Sequence, residues 1–162
     1  MALFGSSRDS LLIKSINREL IGRIVQQQIG YYKINLDSTT INLYGESNSK
    51  YYNPPVLLNC LISANNTTTV DDDLGPNSYR NVSFNMFRQD LIDAGVEPET
   101  GDIVMWNENY YEVDNTDDSQ FWLGKNPDYS ISDDTSGFGL SISVIITTHW
   151  TNVDKLNIVQ VR

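Results

Sequence analysis

The chain has almost none of the residues on which most catalytic and metal sites depend. Its 162 residues include one cysteine, Cys60, and one histidine, His149. A single cysteine excludes an internal disulfide and a cysteine-based zinc site. The chain contains no HExxH pattern, no GxSxG pattern and no glycine-rich phosphate loop. We therefore expect no enzymatic activity and no bound cofactor or metal, and we expect Cys60, in the apolar run VLLNCLI, to be a buried, unreactive thiol.

Long apolar runs are also missing. No stretch approaches the roughly 18 apolar residues that a transmembrane helix needs. The first residues, MALFGSSRDSLLIK, have neither a basic start nor a clean apolar stretch after it, so we expect no signal peptide and no membrane association.

Acidic residues are plentiful but do not form a recognisable site. The runs DDDLG (71–75) and DNTDD (114–118) lack the ligand spacing of a calcium-binding EF-hand loop. Glu108 and Glu112 fall at the tip and on the outer face of a predicted hairpin, where nothing would tune a carboxyl pKa for acid/base catalysis. These acids are therefore expected to be solvated.

The charge is strongly negative and uneven. The net charge is −10; residues 1–50 hold six basic and four acidic residues, a balance of +2, and the remainder holds five basic and seventeen acidic residues, a balance of −12. Such a body repels nucleic acid phosphates instead of binding them. The acidic composition fits three roles: solubility alone, contact with a basic partner, or a surface that must not bind DNA.

An amphipathic helix is predicted over residues 9–29. Ile13, Ile16, Leu20 and Ile24 share one stripe at helical periodicity, and Gly30 can end the helix. The apolar arc covers more than half of the circumference. Either the helix is sunk deep in its own domain, or part of it is buried against another subunit.

The rest of the chain is predicted to be β-rich. Apolar residues make up 40% of the sequence and charged residues 20%, which suits one globular domain over residues 1–162. Short β-type segments are predicted over residues 31–162, among them an apolar central strand at 56–63. Two long loops are predicted at 64–78 and at 114–139. The first of them is alternatively an extended hairpin. A short helix is predicted between Asn85 as N-cap and Gly95. The fold class is mainly β (α+β), a barrel or sandwich of about eight strands with an N-terminal helix and one short helix.

Residues 102–113, DIVMWNENYYEV, predict a β-hairpin whose register depends on its loop. A two-residue loop would place Ile103 opposite Glu112, whereas a three-residue loop (107–109) places Ile103 opposite Val113 and gives one continuous apolar face. We expect the three-residue loop, with Trp106 and Tyr110 paired and half-exposed on the outer face.

The segment 114–139 combines turn residues with large apolar side chains, including Phe121, Trp122 and Tyr129. Loops of this length in compact domains are usually functional or disordered, and the aromatic content argues against disorder. The segment therefore favours contact with another chain.

Three stretches together resemble a known family. They are INLYGESNSKYYNPPVLLNCLI, FNMFRQDLIDAGVEPETGDIVMWNENYYEVDNTDDSQFWLGKNPDYS and FGLSISVIITTHW. This combination, spanning roughly residues 39–150, resembles the neck (head-closure) proteins of contractile-tailed, T4-like phages. It joins a short helix, a GxxPxxGD turn, an aromatic hairpin and an LGKNPDY string.

The resemblance implies a virion structural protein without enzymatic activity. It implies a β-rich subunit that is made in the host cytoplasm and forms a homo-oligomeric ring, a hexamer as in that family. The ring would lie in the neck between capsid and tail. A portal-adaptor ring would lie above it and the tail terminator below, and double-stranded DNA would pass without specific binding. The candidate acidic loop facing that DNA channel is Asp71, Asp72 and Asp73. The candidate contacts with other subunits or neighbours are Ile13, Leu20, Ile24, Tyr51, Tyr52, Trp106, Tyr110, Phe121, Trp122 and Tyr129.

Two alternatives remain open at this point. A tail terminator or a baseplate component could share the same β-rich subunit. A carbohydrate-binding module could use Trp106, Tyr110 and Trp122 as stacking platforms.

Overall fold

The body of the protein is a closed antiparallel β-barrel. The computed structural model describes residues 7–39, 50–65, 68–72, 75–120, 142–152 and 156–158. The strands, in chain order, are β1 (Gln28–Tyr32), β2 (Lys50–Tyr51), β3 (Val56–Ala64), β4 (Thr68–Asp72), β5 (Gly75–Tyr79), β6 (Asn81–Phe87), β7 (Ile103–Trp106), β8 (Asn109–Gln120), β9 (Ser143–Thr151) and β10 (Leu156–Asn157). Six of them close the barrel in the order β1-β3-β6-β9-β8-β7. The mainly β prediction is confirmed, as a barrel and not a sandwich.

Two helices accompany the barrel, as predicted. Helix α1 (Ser7–Glu19) continues into a π-helical segment (Leu20–Val25), and α2 is Arg88–Ala94. The left-handed residue Gln26 (φ 52°) ends the N-terminal helix before 29, so the prediction that Gly30 ends it is wrong. Gly30 instead lies inside β1, where its Cα faces Met105 of β7.

The short helix also starts later than predicted. Asn85 is a residue of β6 paired with Ile145, and the N-cap is Phe87. The tertiary pairing of β6 with β9 outweighs the local capping preference of Asn85. Gly95 (φ 65°) follows the helix in the left-handed conformation, as the sequence predicted.

Alternating apolar side chains fill the barrel. In β6, Val82, Phe84 and Met86 are buried at every second position, and in β3 the inward residues are Leu58 and Cys60. The apolar run 56–63 is therefore a strand, as predicted, but its other face is not buried. Burial raises the pKa of the Cys60 thiol to about 12, in agreement with an unreactive cysteine.

A second apolar cluster lies outside the barrel wall. Tyr32, Ile103 and Tyr110 are buried there, and Tyr52, Met105, Leu156 and Ile158 pack against them. The short parallel pair of β2 and β10 contributes to this layer. As a result, β1, β7 and the start of β8 are buried on both faces.

The β7–β8 hairpin corrects the predicted register. Ile103 lies opposite Glu112 and Trp106 opposite Asn109, so the loop has two residues, and the prediction of three is wrong. Asn107 (φ 51°) and Glu108 (φ 63°) both adopt the left-handed conformation of such tight turns. The predicted register assumed that only one face of the hairpin is apolar. Because both faces of the hairpin are buried, either register gives an apolar face, and the pattern does not distinguish them.

The predicted half-exposed pair of Trp106 and Tyr110 is also wrong. Trp106 lies on the inner face and packs against Phe84 and Tyr111, at ring-centre distances of 6.2 Å each. Tyr110 lies on the opposite face of the hairpin, is 5% exposed and contacts Tyr32.

The two predicted loops differ in outcome. Residues 68–72 and 75–79 pair as the β4–β5 hairpin, within the segment predicted as a long loop or an extended hairpin. The loop predicted from 114 begins too early, because β8 continues to Gln120 beside β9, with register shifts that absorb its irregular pairing. Residues 121–139 lie outside the described part of the chain.

The antiparallel order gives the barrel two different ends. One end, called the arm end, has the β4–β5 hairpin attached and is bounded by Gln28, Ala64, Asn81, Trp106, Asn109 and Thr151. At the opposite end, α2 follows β6, and its Leu91 (3% exposed) joins the core.

A buried carboxylate fastens the point where the barrel closes. Asp102, immediately before β7, is completely buried and accepts hydrogen bonds from the Tyr31 hydroxyl (2.5 Å), the Ile34 N–H (2.9 Å) and the Glu99 N–H (2.9 Å). The Lys33 ammonium lies 3.3 Å from the same carboxylate. Because Tyr31 is in β1 and Asp102 adjoins β7, these bonds hold together the two strands that complete the barrel.

Replacing Asp102 with Ala is expected to destabilise the fold strongly. Three donors and one ammonium would lose their buried acceptor, at a cost of about 3 kcal/mol or more. Urea unfolding should show this loss, while Glu99→Gln, which changes an exposed partner of Lys33, should cost about 0.5 kcal/mol or less. Equal costs for the two variants would contradict the role assigned to Asp102.

Replacing Glu108 with Gly is expected to stabilise the protein. A non-glycine residue in the left-handed conformation is disfavoured by about 1 kcal/mol, and an Asn-Gly pair suits this turn. The urea midpoint should therefore rise. Glu97→Gly, at an exposed position without positive φ, is the control and should not raise it.

Candidate interaction surface

The N-terminal helix packs along the outer face of β3. Gly22 faces this strand, since a Cβ there would lie 3.8 Å from the Asn59 side-chain amide nitrogen. Arg18 fixes the helix against α2, with its guanidinium 2.9 Å from Asp90 and 2.7 Å from Asp93.

The carboxyl pKa values of the two acids that bind Arg18 shift in opposite directions. Hydrogen bonds from Gln89 and Arg18 lower the pKa of Asp93, which is well exposed. Burial raises the pKa of Asp90 even though Arg18 opposes that effect. The ion pairs are partly open to solvent, so they orient the helix more than they stabilise it.

Only one side of the helix meets the barrel. Ile21 is buried (8% exposed), and Val25, four residues later on the same side, is half-buried; Ile13 is also half-buried. Four apolar residues at four-residue spacing stay open to solvent and are called the exposed helix stripe: Leu12 (57% exposed), Ile16 (53%), Leu20 (42%) and Ile24 (73%). The wider turn of the π-helical segment keeps Leu20 and Ile24 close to the line of Leu12 and Ile16.

The neighbouring strand adds to this apolar surface. Leu57 (68% exposed) and Leu61 (37% exposed) point outward from β3 on either side of Asn59, the residue beside Gly22. Several large exposed apolar side chains on two neighbouring elements are typical of a protein contact site. The sequence identified Leu20 and Ile24 in it, but assigned Leu57 and Leu61 to a buried strand.

The other predicted contact residues are divided between several places. Tyr51 is 42% exposed, and Tyr52 packs against the second apolar cluster. Trp106 and Tyr110 lie on opposite faces of their hairpin, so they do not form a common stacking platform for a sugar. Phe121, Trp122 and Tyr129 lie outside the described residues.

The β4–β5 hairpin, called the arm, continues the β3–β6 ribbon beyond the barrel. Ala64 lies opposite Val82, and the Asn65 N–H donates to the Asn81 carbonyl. Thr68 then pairs with Tyr79 to begin the two-stranded arm. Of the predicted channel acids, Asp71 and Asp72 belong to β4, whereas Asp73 lies outside the described residues.

Polar groups on the barrel surface form separate pairs. The Lys50 ammonium lies 2.7 Å from Glu112, and His149 Nδ1 lies 2.6 Å from Asp114 on the outer face of β8 and β9. Within the described ranges, no group of three or more His, Cys, Asp or Glu side chains is placed to hold a metal ion.

No family model matches the chain, and a search of curated proteins finds no match. In the part of the chain that the structure describes, neither helix combines the length and apolarity that crossing a membrane requires.

The two sides of the helix are expected to differ in their effect on folding. Ile21→Ser should cost about 2–4 kcal/mol of unfolding free energy, because it removes a buried side chain and buries a hydroxyl. Ile24→Ser should change the unfolding free energy of the monomer by about 0.5 kcal/mol or less. Urea unfolding at low protein concentration measures both, and a large loss for Ile24→Ser would show that this residue supports its own subunit.

Proposed function

We propose that this protein is a ring-forming structural component of the neck of a tailed phage virion, placed between the portal-adaptor ring and the tail terminator. The observation that carries the proposal is the exposed helix stripe. Leu12, Ile16, Leu20 and Ile24 lie open on a subunit whose own core is already filled. The sequence resemblance to phage neck proteins supplies the kind of assembly.

The stripe supports association between copies of the chain. Burying an exposed leucine or isoleucine contributes about 1.5 kcal/mol or more, so four of them with Leu57 and Leu61 give a substantial gross gain. Part of that gain is lost to the entropy of association. A contact between this surface and a different surface of the next copy generates a ring when the rotation closes. The hexameric number rests on the resemblance.

The charge of the chain supports a role beside DNA. With a net charge of −10, the subunit repels phosphates, so DNA passing through such a ring would slide instead of binding. In this proposal the arm, which contains Asp71 and Asp72, is the part that faces the passing DNA. The neck then conducts or retains the genome without reading its sequence.

The oligomeric state of the purified protein tests the role of the stripe. Size-exclusion chromatography with light scattering should give one discrete oligomer, expected to contain six copies, and Leu20→Ser/Ile24→Ser should reduce it to a monomer. Leu36→Ser is the control, because Leu36 is 65% exposed but does not belong to the exposed helix stripe. A monomeric parent protein, or an oligomer that survives the stripe substitutions, would contradict the proposal.

A structure of the assembled particle is needed to determine where in the virion the chain lies. A cryo-electron microscopy map of the phage that encodes this chain should show the barrel in a ring between the portal-adaptor and the tail terminator. Density for the chain at the tail terminator or in the baseplate would overturn the neck assignment while leaving the ring itself intact.

A further inference from the structure

The arm end of the barrel carries an arginine stacked on a tryptophan. Arg80 connects the arm to β6, and its guanidinium carbon lies 5.4 Å from the centre of the Trp106 ring. Trp106 in turn packs against Phe84 and Tyr111, two buried residues of the barrel core. Arg80 and Trp106 together therefore cover the core at this end.

Two hydrogen-bond donors in this arrangement lack acceptors. Arg80 Nε and the Tyr111 hydroxyl are both shielded from solvent and have no hydrogen-bond partner. Buried donors without partners are costly and uncommon in folded proteins. Burial raises the pKa of Tyr111, and the opposing charge of Arg80 only moderates that rise, so the hydroxyl keeps its proton.

Arg80 also lacks an acidic partner. Among the described residues, Arg18, Arg23, Lys33 and Lys50 form ion pairs, whereas Arg80, like Lys14 and Arg88, forms none. The arm end therefore presents a positive charge and a nearby hydroxyl donor, both without an acceptor.

We propose that Arg80 and Tyr111 form a binding site for a carboxylate group at the arm end of the barrel. The planar guanidinium fits the two oxygens of a carboxylate, and the hydroxyl supplies a further donor. A strongly acidic chain repels the polyanionic backbone of nucleic acid far more than it repels one carboxylate. The carboxylate belongs either to a small organic acid or to an acidic side chain of a second copy.

Both donors are shielded from solvent, so a bound carboxylate has to displace the Arg80 side chain that stacks on Trp106. The fluorescence of Trp106 therefore reports binding. In a Trp122→Phe/Trp150→Phe background, Trp106 is the only tryptophan of the chain. Sodium acetate, added to dilute protein at constant ionic strength, should change its emission saturably, whereas sodium chloride and sodium phosphate should not.

Substitutions connect that signal to the site. Arg80→Gln should remove the saturable change, and Tyr111→Phe should weaken acetate binding about three- to tenfold, the effect of one hydrogen bond. Arg23→Gln, which removes the same charge from an exposed position on the helix, should bind acetate as the parent does. Circular dichroism confirms folding, and Arg80→Lys, which keeps the charge but not the planar fork, replaces Arg80→Gln if that variant unfolds.

A dilution series distinguishes the two sources of the carboxylate. If a second copy supplies it, Trp106 emission changes on dilution without acetate, and Arg80→Gln removes that change. If a small acid supplies it, acetate acts on the monomer and dilution has no effect. The site proposal is overturned if neither arm responds, if phosphate or chloride acts as well as acetate, or if Arg80→Gln keeps the response. Acetate binding by a monomer would support this site even if the ring proposal failed.

Discussion

The pairing of β1 with β7 is the contact on which the rest of the structure depends. It joins residues about seventy positions apart in the chain and turns an open sheet into a barrel. Asp102 secures it by accepting from a β1 side chain and from backbone groups on both sides of the junction. Because a closed barrel has no free edge among its own strands, any association between copies would use side chains or the edges of the two-stranded sheets.

The sequence predicted those features that a local pattern encodes. Alternating apolar residues predicted the β-rich body, the apolar run around Cys60 predicted a strand, and Gly95 marked the end of the short helix. The hairpin register was not predictable in the same way. Ile103 and Tyr110 are buried on the outer side of the barrel by residues from β10 and the β2 region, a contact between distant segments that no local pattern shows.

The N-terminal helix shows a second limit of prediction from sequence. Its periodicity gives the width of the apolar arc, but not which part of that arc the barrel covers. The structure places Ile21 against the barrel and leaves Ile24 in solvent, although both belong to the same predicted arc. Asp102 and Arg80 carry no periodic signal at all, since each is a single polar residue beside a strand. Their importance follows from burial and from missing or multiple partners, which only the fold reveals.

The different surfaces of the subunit allow different contacts to form together. The exposed helix stripe lies along the side of the barrel, beside β3, whereas the arm and Arg80 lie at one end. The opposite end is occupied by α2, whose Leu91 enters the core, so the two ends are chemically unequal. The subunit therefore has two distinguishable ends along the barrel axis. Lateral burial of the stripe would align every arm end on the same side of a ring, and the unpaired Arg80 would then repeat around that side.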